Sequence, residues 1–255
     1  MIFASIVIPC HGRLASLRRA VESVERSCDE FGEPVEIILV DDASPVPVSS
    51  AFGQPGGRVR VVTLDRNRGA SAARNMGIAA ARGPIVLFTD DDVVVHELWV
   101  RSLSVYLRDA PARVAAVGGR VLALGDDIFS RYYEYHHILD PFLMDDGTVL
   151  YVTTCNCAYR RSTLVQVGGF DEALRKPGGE DPGLSFKVTA AGYELHRHDE
   201  AVVWHDFRPG LPDFLRTFCR YGAGCRHQAD RHWKGARGRD ELQHGVTSVG
   251  VSSTS

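Results

Sequence analysis

Apolar positions along the first ninety or so residues alternate between two rhythms. Ser5-Ile6-Val7-Ile8-Pro9 is a short β-branched run, and Leu14, Leu17, Val21 and Val24 then recur at the spacing of one helical face. Val35-Glu36-Ile37-Ile38-Leu39-Val40 reads as a second strand and residues 59–64 as a third. The alanine-rich residues 70–81 predict a helix stopped by Gly83-Pro84, and Ile85-Val86-Leu87-Phe88 predicts a fourth strand. Strand and helix in turn imply an α/β fold, a mostly parallel sheet flanked by helices on both faces. Ligands of such sheets bind beyond the carboxyl ends of the strands, where loops and helix N-termini converge. Three of these ends carry Pro9, Asp41-Asp42 and Asp90-Asp91-Asp92.

The second half is less regular. Residues 114–124 hold a strand or two, the aromatic residues 130–137 suggest a helix, and residues 149–159 read as a strand. A helix is expected over 183–191, closed by Gly192. From residue 208 to 239 the balance turns basic, with eight Lys/Arg against two acids. The small, polar residues 245–255 predict a disordered tail.

Composition narrows the partners. The chain has 255 residues, 44% hydrophobic and 24% charged, enough for one large domain or two small ones. A net charge of −3 gives no global field for nucleic acid. Six cysteines without a secretory leader read as reduced thiols, and no stretch approaches about 18 apolar residues, so a cytoplasmic location is expected.

The acids carry the chemistry. Three adjacent carboxylates at a strand end repel one another and call for a cation, and hard oxygen ligands suit Mg2+ or Mn2+; the alternative is a solvated acidic turn. Asp41 or Asp42 can accept from ribose hydroxyls or a base N–H, or Asp42 can cap the next turn. Arg68, in Arg66-Asn67-Arg68-Gly69 before the alanine-rich helix, suits a diphosphate or simply a turn. Arg74, inside that helix, is either a surface residue or a brace for the acidic loops. Glu180 and Asp181 open a helix, where the macrodipole favours the ionised form that a general base requires. His205, after Ala201-Val202-Val203, can supply a neutral nitrogen to a metal shell. Cys155-Asn156-Cys157 has no second close Cys/His pair to complete a zinc site and reads as buried thiols.

Together these motifs resemble the inverting glycosyltransferases of family two, with the GT-A fold. The pieces are Ser5-Ile6-Val7-Ile8-Pro9, Val40-Asp41-Asp42-Ala43-Ser44, Asn67-Arg68-Gly69 running to Ala73-Arg74-Asn75-Met76-Gly77, Phe88-Thr89-Asp90-Asp91-Asp92, Val167-Gly168-Gly169-Phe170-Asp171-Glu172 and Gly179-Glu180-Asp181. The resemblance implies a Rossmann-like nucleotide-binding half merged with an acceptor half. A single domain over residues 1–233 would divide into 1–97, 98–205 and a helical segment 206–233, with a tail over 234–255. Pro9, Asp41, Asp42, Arg68, Asp90 and Asp91 would bind a nucleotide-sugar donor, a UDP-sugar being favoured. Asp92, His205 and Asp90 would hold Mn2+ or Mg2+. Asp181 would be the catalytic base, with Glu180 beside it. The chain departs from the family pattern at Gly12, where Asn is usual, and at Ala43, where Gly is usual.

The acceptor is unassigned: saccharide, lipid-linked compound or natural product. The basic residues 214–239 would cover it, or touch an anionic lipid surface at the inner face of the membrane, or form a solvated amphipathic helix. Two rivals share parts of the pattern. A nucleotidyltransferase would need a Gly-rich, basic phosphate loop after the first strand, which Pro9-Cys10-His11-Gly12-Arg13 is not. A non-catalytic nucleotide-sugar-binding protein would have no use for both Asp92 and Asp181.

Overall fold

The computed structural model describes residues 1–52, 57–174 and 178–232, with side chains up to residue 228. The expected tail over 234–255 and the end of the basic segment lie outside the described residues.

The four expected strands form one parallel set. β1 (Ala4–Cys10), β2 (Val35–Asp41), β3 (Val59–Thr63) and β4 (Ile85–Phe88) lie in the order β3-β2-β1-β4. β1 and β2 are buried along their whole length, so their sequences are nearly unbroken apolar runs. Alternate side chains feed two apolar clusters on opposite faces. Ile6 and Ile8 meet Leu17, Val21 and Val24 of α1 (Leu14–Phe31), and Val7 meets Ala73 and Ile78 of α2 (Ala70–Ala80). A Cβ on Gly77 would lie 2.3 Å from a Val7 methyl carbon, so α2 seats closely on β1 because it is built from small residues.

The sheet continues through the second half. β5 (Val93–Val95), α3 (Trp99–Asp109), β6 (Val114–Ala123), α4 (Ile128–Tyr135), β7 (Cys157–Arg160), α5 (Arg161–Gln166), α6 (Glu180–Ala190), β8 (Glu194–His205) and α7 (Leu211–His232) follow in chain order. The whole sheet has eight strands, ordered β3-β2-β1-β4-β7-β6-β8-β5. β7 runs antiparallel to both β4 and β6, and β8 runs parallel to β6. The end of β8 therefore points to the same edge as the ends of β1, β2 and β4.

Several elements differ from the sequence pattern. The strand expected over 149–159 exists only as β7. Upstream of it, the Val152 and Thr154 N–H groups bond to the side chains of Ser185 and Asp181 instead of a strand ladder. The helix expected from 183 begins three residues earlier, which puts Glu180 and Asp181 in its first turn. The pattern missed β5, α3 and β8. In α3 the fully buried Trp99, Val100, Leu103 and Leu107 are interleaved with polar residues, two of which, Ser102 and Ser104, are also buried. In β8 six charged or imidazole side chains precede the apolar stretch at Ala201.

The helix α7 is fastened across the start of α6 by glycines. A Cβ on Gly224 would lie 2.1 Å from the Gly178 carbonyl oxygen, and Gln228 Nε2 donates to the Gly179 carbonyl at 2.9 Å. Gly178 and Gly179 both take positive φ, 120° and 89°, which favours glycine. Among the described residues no helix is long and apolar enough to cross a membrane.

Glycine substitutions separate close approach from helix propensity. Gly222→Ala has open space around its new Cβ and should gain about 0.5–1 kcal/mol through helix propensity. Gly224→Ala should lose about 1–3 kcal/mol despite the same propensity gain, because its methyl meets backbone. Thermal unfolding should show a small rise in Tm for the first and a fall of several degrees, about 2–10 °C, for the second. Ala43 takes a left-handed φ of 56° at the position where the resembled family usually has Gly. Ala43→Gly should therefore stabilise by about 1 kcal/mol, read in the same assay.

Candidate active site

Strand ends and helix starts enclose a cavity of 610 Å³ at this edge of the sheet. β1 contributes Pro9 and Cys10, and the turn after β2 contributes Asp42. Asp90, Asp91 and Asp92 follow β4, the α6 N-terminus brings Glu180 and Asp181, and His205 ends β8. Thr217, Arg220, Tyr221 and Cys225 of α7 close the far side. Residues distant in the chain thus share one wall.

Two guanidinium groups hold the acids together. Arg74 is 4% exposed and donates to Asp90 at 2.8 Å and to Glu180 at 3.3 Å. Burial works against its charge, but Asp90, Asp181 and Glu180 outweigh that and raise its pKa. Arg74 is the brace between the acidic loops. Arg13, at the N-cap position of α1, bridges Asp91 and Asp92 with its two Nη groups. Burial, helped by Asp92 and Asp90, pushes the Asp91 carboxyl up to about 7 against the pull of Arg13. For Asp92 burial acts in the same direction, yet His205 and Arg13 hold it below the usual carboxylate range.

Asp90, Asp92 and His205 present ligand atoms within 4.8 Å of one another. His205 Nε2 lies 3.8 Å from an Asp92 oxygen, its ring stacks on Phe207 with centroids 4.6 Å apart, and its Nδ1 is buried without a hydrogen-bond partner. One imidazole and two carboxylates converging in this way fit a divalent cation that accepts mixed O/N ligands, such as Mn2+ or Mg2+.

Asp181, in the first turn of α6, lines the same cavity. Thr154 donates to its carboxylate twice, from Oγ1 at 2.7 Å and from the backbone N–H at 3.2 Å. Burial and the neighbouring Glu180 push it up to about 7, with Arg74 and Thr154 pulling the other way. The Glu180 carboxylate is already engaged by Arg74 and by the Gly178 N–H at 2.6 Å.

The remaining expected donor residues divide. Asp42 lines the cavity and accepts the N–H groups of Arg68 at 2.7 Å and Gly69 at 2.8 Å, which fixes the loop leading into α2. Asp41 is fully buried, its oxygens taken by the Ser44 and Val48 N–H groups, and it does not line the cavity. The Arg68 guanidinium reaches Glu172 at 2.6 Å and likewise lies off the cavity wall. The sequence pattern passed over Arg13 and Thr154. Arg13 could have been found as a cation just past a strand end, level with the acids. Thr154 gives no such signal, because it sits in a stretch that reads as plain strand. The thiols of Cys155 and Cys157 are buried, as their pattern suggested.

Comparison with known proteins identifies the family and the fold. The model of "Glycosyl transferase family 2" matches residues 5–168. The chain is similar to the pre-mycofactocin glycosyltransferase of Mycobacterium tuberculosis, 33% identical over 236 residues, which covers 89% of this chain and 48% of that protein. It thus spans about half the length of this relative. Among solved structures, the mannosyltransferase PcManGT from Pyrobaculum calidifontis, in complex with GDP-Man and Mn2+, superposes with a TM-score of 0.68 at 17% identity, over 91% of this chain and 64% of that one. GalNAc-T7 with UDP, GalNAc and Mn2+ gives 0.63 at 19% identity, over 85% and 47%. These likenesses show the GT-A glycosyltransferase fold. With the family's strand ends, acidic run and Gly-Glu-Asp turn all meeting at one edge of such a sheet, the chain belongs to glycosyl transferase family 2.

Proposed function

We propose that this chain transfers a sugar from a nucleoside diphosphate to an acceptor hydroxyl, with inversion at the anomeric carbon and with Mn2+ or Mg2+ as cofactor. One observation carries the reading: the Asp90–Asp92–His205 group and the half-buried Asp181 open onto one cavity, with Arg74 spanning the acids between them. The Mn2+ and nucleotides named with the two solved relatives support the cofactor and the donor class. Uridine as the base rests on the family resemblance alone.

Asp90, Asp92 and His205 would hold the cation, which when bound offsets charge on the departing diphosphate. Asp42 fixes the loop before α2, so that the N-terminus of this helix faces the donor. Asp181 accepts the proton of the acceptor hydroxyl while that oxygen bonds to the anomeric carbon. The carbon–oxygen bond to the diphosphate breaks in the same step, its electron pair leaves with the nucleoside diphosphate, and Asp181 later returns the proton to solvent. A single displacement inverts the centre, so one base suffices. Residues 1–97 form the donor half and 98–205 the acceptor half. The lining contributed by Thr217, Tyr221 and Cys225 supports adding α7 to the acceptor side.

Four measurements test the reading. Release of UDP from UDP-sugars, with water standing in for the acceptor, should require Mn2+ or Mg2+. Metal-independent nucleotide binding without any turnover would contradict it. Asp181→Asn should lower turnover by about 10²–10⁴-fold while leaving the nucleotide-induced thermal shift intact, whereas Asp92→Asn should weaken both. The pH profile has a definite sign. Only ionised Asp181 can take a proton, so activity should rise tenfold per pH unit below about 7 and level off above it. The Thr154 hydrogen bonds favour the ionised form, so Thr154→Val should move this inflection to higher pH. An unmoved or lowered inflection would remove Thr154 from its positioning role. In thermal-shift assays UDP should outperform GDP and TDP, and equal shifts would remove the base assignment.

A further inference from the structure

We propose that Arg13 is an exchangeable counter-ion. It neutralises Asp91 and Asp92 in the unliganded protein, then yields Asp92 to the divalent cation and turns to the donor diphosphate when both arrive. The inference rests on the proposed metal and donor site and assigns Arg13 a function within it.

The geometry sets up a competition. Arg13 Nη1 donates to Asp92 Oδ2 at 2.6 Å, and Nη2 engages Asp91 Oδ1. Asp92 is also a member of the only group of potential metal ligands found among the described residues, with Asp90 and His205. Arg13 holds Oδ2 and His205 Nε2 faces Oδ1, so a cation on Asp92 would share one carboxylate with the guanidinium, and the two positive charges would repel and compete for it.

Arg13 is the one built to move. Its side chain is 41% exposed, whereas the other guanidinium of the cluster, Arg74, is 4% exposed and fixed between Asp90 and Glu180. Arg13 lines the cavity together with Pro9, Asp42 and Gly69, the wall expected to receive the donor. A guanidinium fork matches two phosphate oxygens as well as it matches two carboxylates. The charges also balance. A divalent cation and a diphosphate enter with opposite charges, so the arm released by the first finds its partner in the second.

The arrangement makes cation and nucleotide binding cooperative. Alone, the cation must displace Arg13. With nucleotide present, the displaced guanidinium gains a new partner, so each ligand strengthens the other by the same factor.

The test is Mn2+ binding followed by electron paramagnetic resonance of free Mn2+, with UDP or GDP present or absent. The proteins compared are the wild type, Arg13→Gln and Arg13→Lys. The full chain is used, and thermal unfolding checks that each variant is folded. In Arg13→Gln, Mn2+ alone should bind about tenfold more tightly than in the wild type, as when one ion-pair partner stops competing. The strengthening of Mn2+ binding by nucleotide should shrink by a similar factor, and Arg13→Lys should fall between. Should Arg13→Gln be unstable, Arg13→Lys alone decides, since it keeps the charge and loses the fork. The inference is overturned if the variants bind Mn2+ alone no more tightly than the wild type, or if nucleotide strengthens Mn2+ binding equally in all three proteins. A wild type that takes up no Mn2+, with or without nucleotide, would instead sink the metal-site reading and this inference with it.

Discussion

Carboxylates brought to one edge of a sheet repel one another, and the repulsion grows as water is excluded. Here Asp90, Asp91, Asp92, Glu180 and Asp181 all line one cavity. The buried guanidinium of Arg74 is what lets the two acidic loops meet, since it bonds to Asp90 on one side and Glu180 on the other. Its position follows from the packing beneath it. α2 can lie close on β1 because Gly77 leaves no Cβ to strike Val7, and that contact carries Arg74 to the strand ends. A van der Waals constraint in the core thus sets an electrostatic one at the surface.

The two ends of the cluster are then free to differ. Around Asp92 the positive partners win, and its carboxyl stays ionised. Around Asp181 burial and Glu180 win, and the carboxyl moves towards neutrality, where it can exchange a proton. Glu180 is engaged by Arg74 and the Gly178 N–H, and its charge raises the pKa of its neighbour. The clamp of α7 on Gly178 and Gly179 holds the loop that carries both.

Much of this was legible in the chain. Parallel strands buried on both faces write themselves as apolar runs, and residues 5–9, 35–40 and 85–88 were recognisable for that reason. The acids at their ends were equally plain. What the sequence hid were interactions with no periodic signal. β8 carries its charges over residues 194–200, before it gains β5 as a second neighbour, and all six of those side chains are at least partly exposed; residues 149–156 look like strand, but the Val152 and Thr154 N–H groups go to side chains. Asp41 and Asp42 are indistinguishable as text, yet one is consumed by its own turn and the other anchors the neighbouring loop. Arg68 looked like the donor's cation and instead faces Glu172, while Arg13, which drew no attention, faces the acids.

The central claim is that separated acids and one imidazole grip a metal ion that touches a diphosphate. Crystals grown with UDP and Mn2+, measured for anomalous scattering at the manganese edge, test it most directly. The account predicts a single strong peak within coordination distance of Asp92, His205 and a diphosphate oxygen, with Asp181 facing the open side of the donor. A peak elsewhere, or nucleotide bound away from the end of β4, would contradict it.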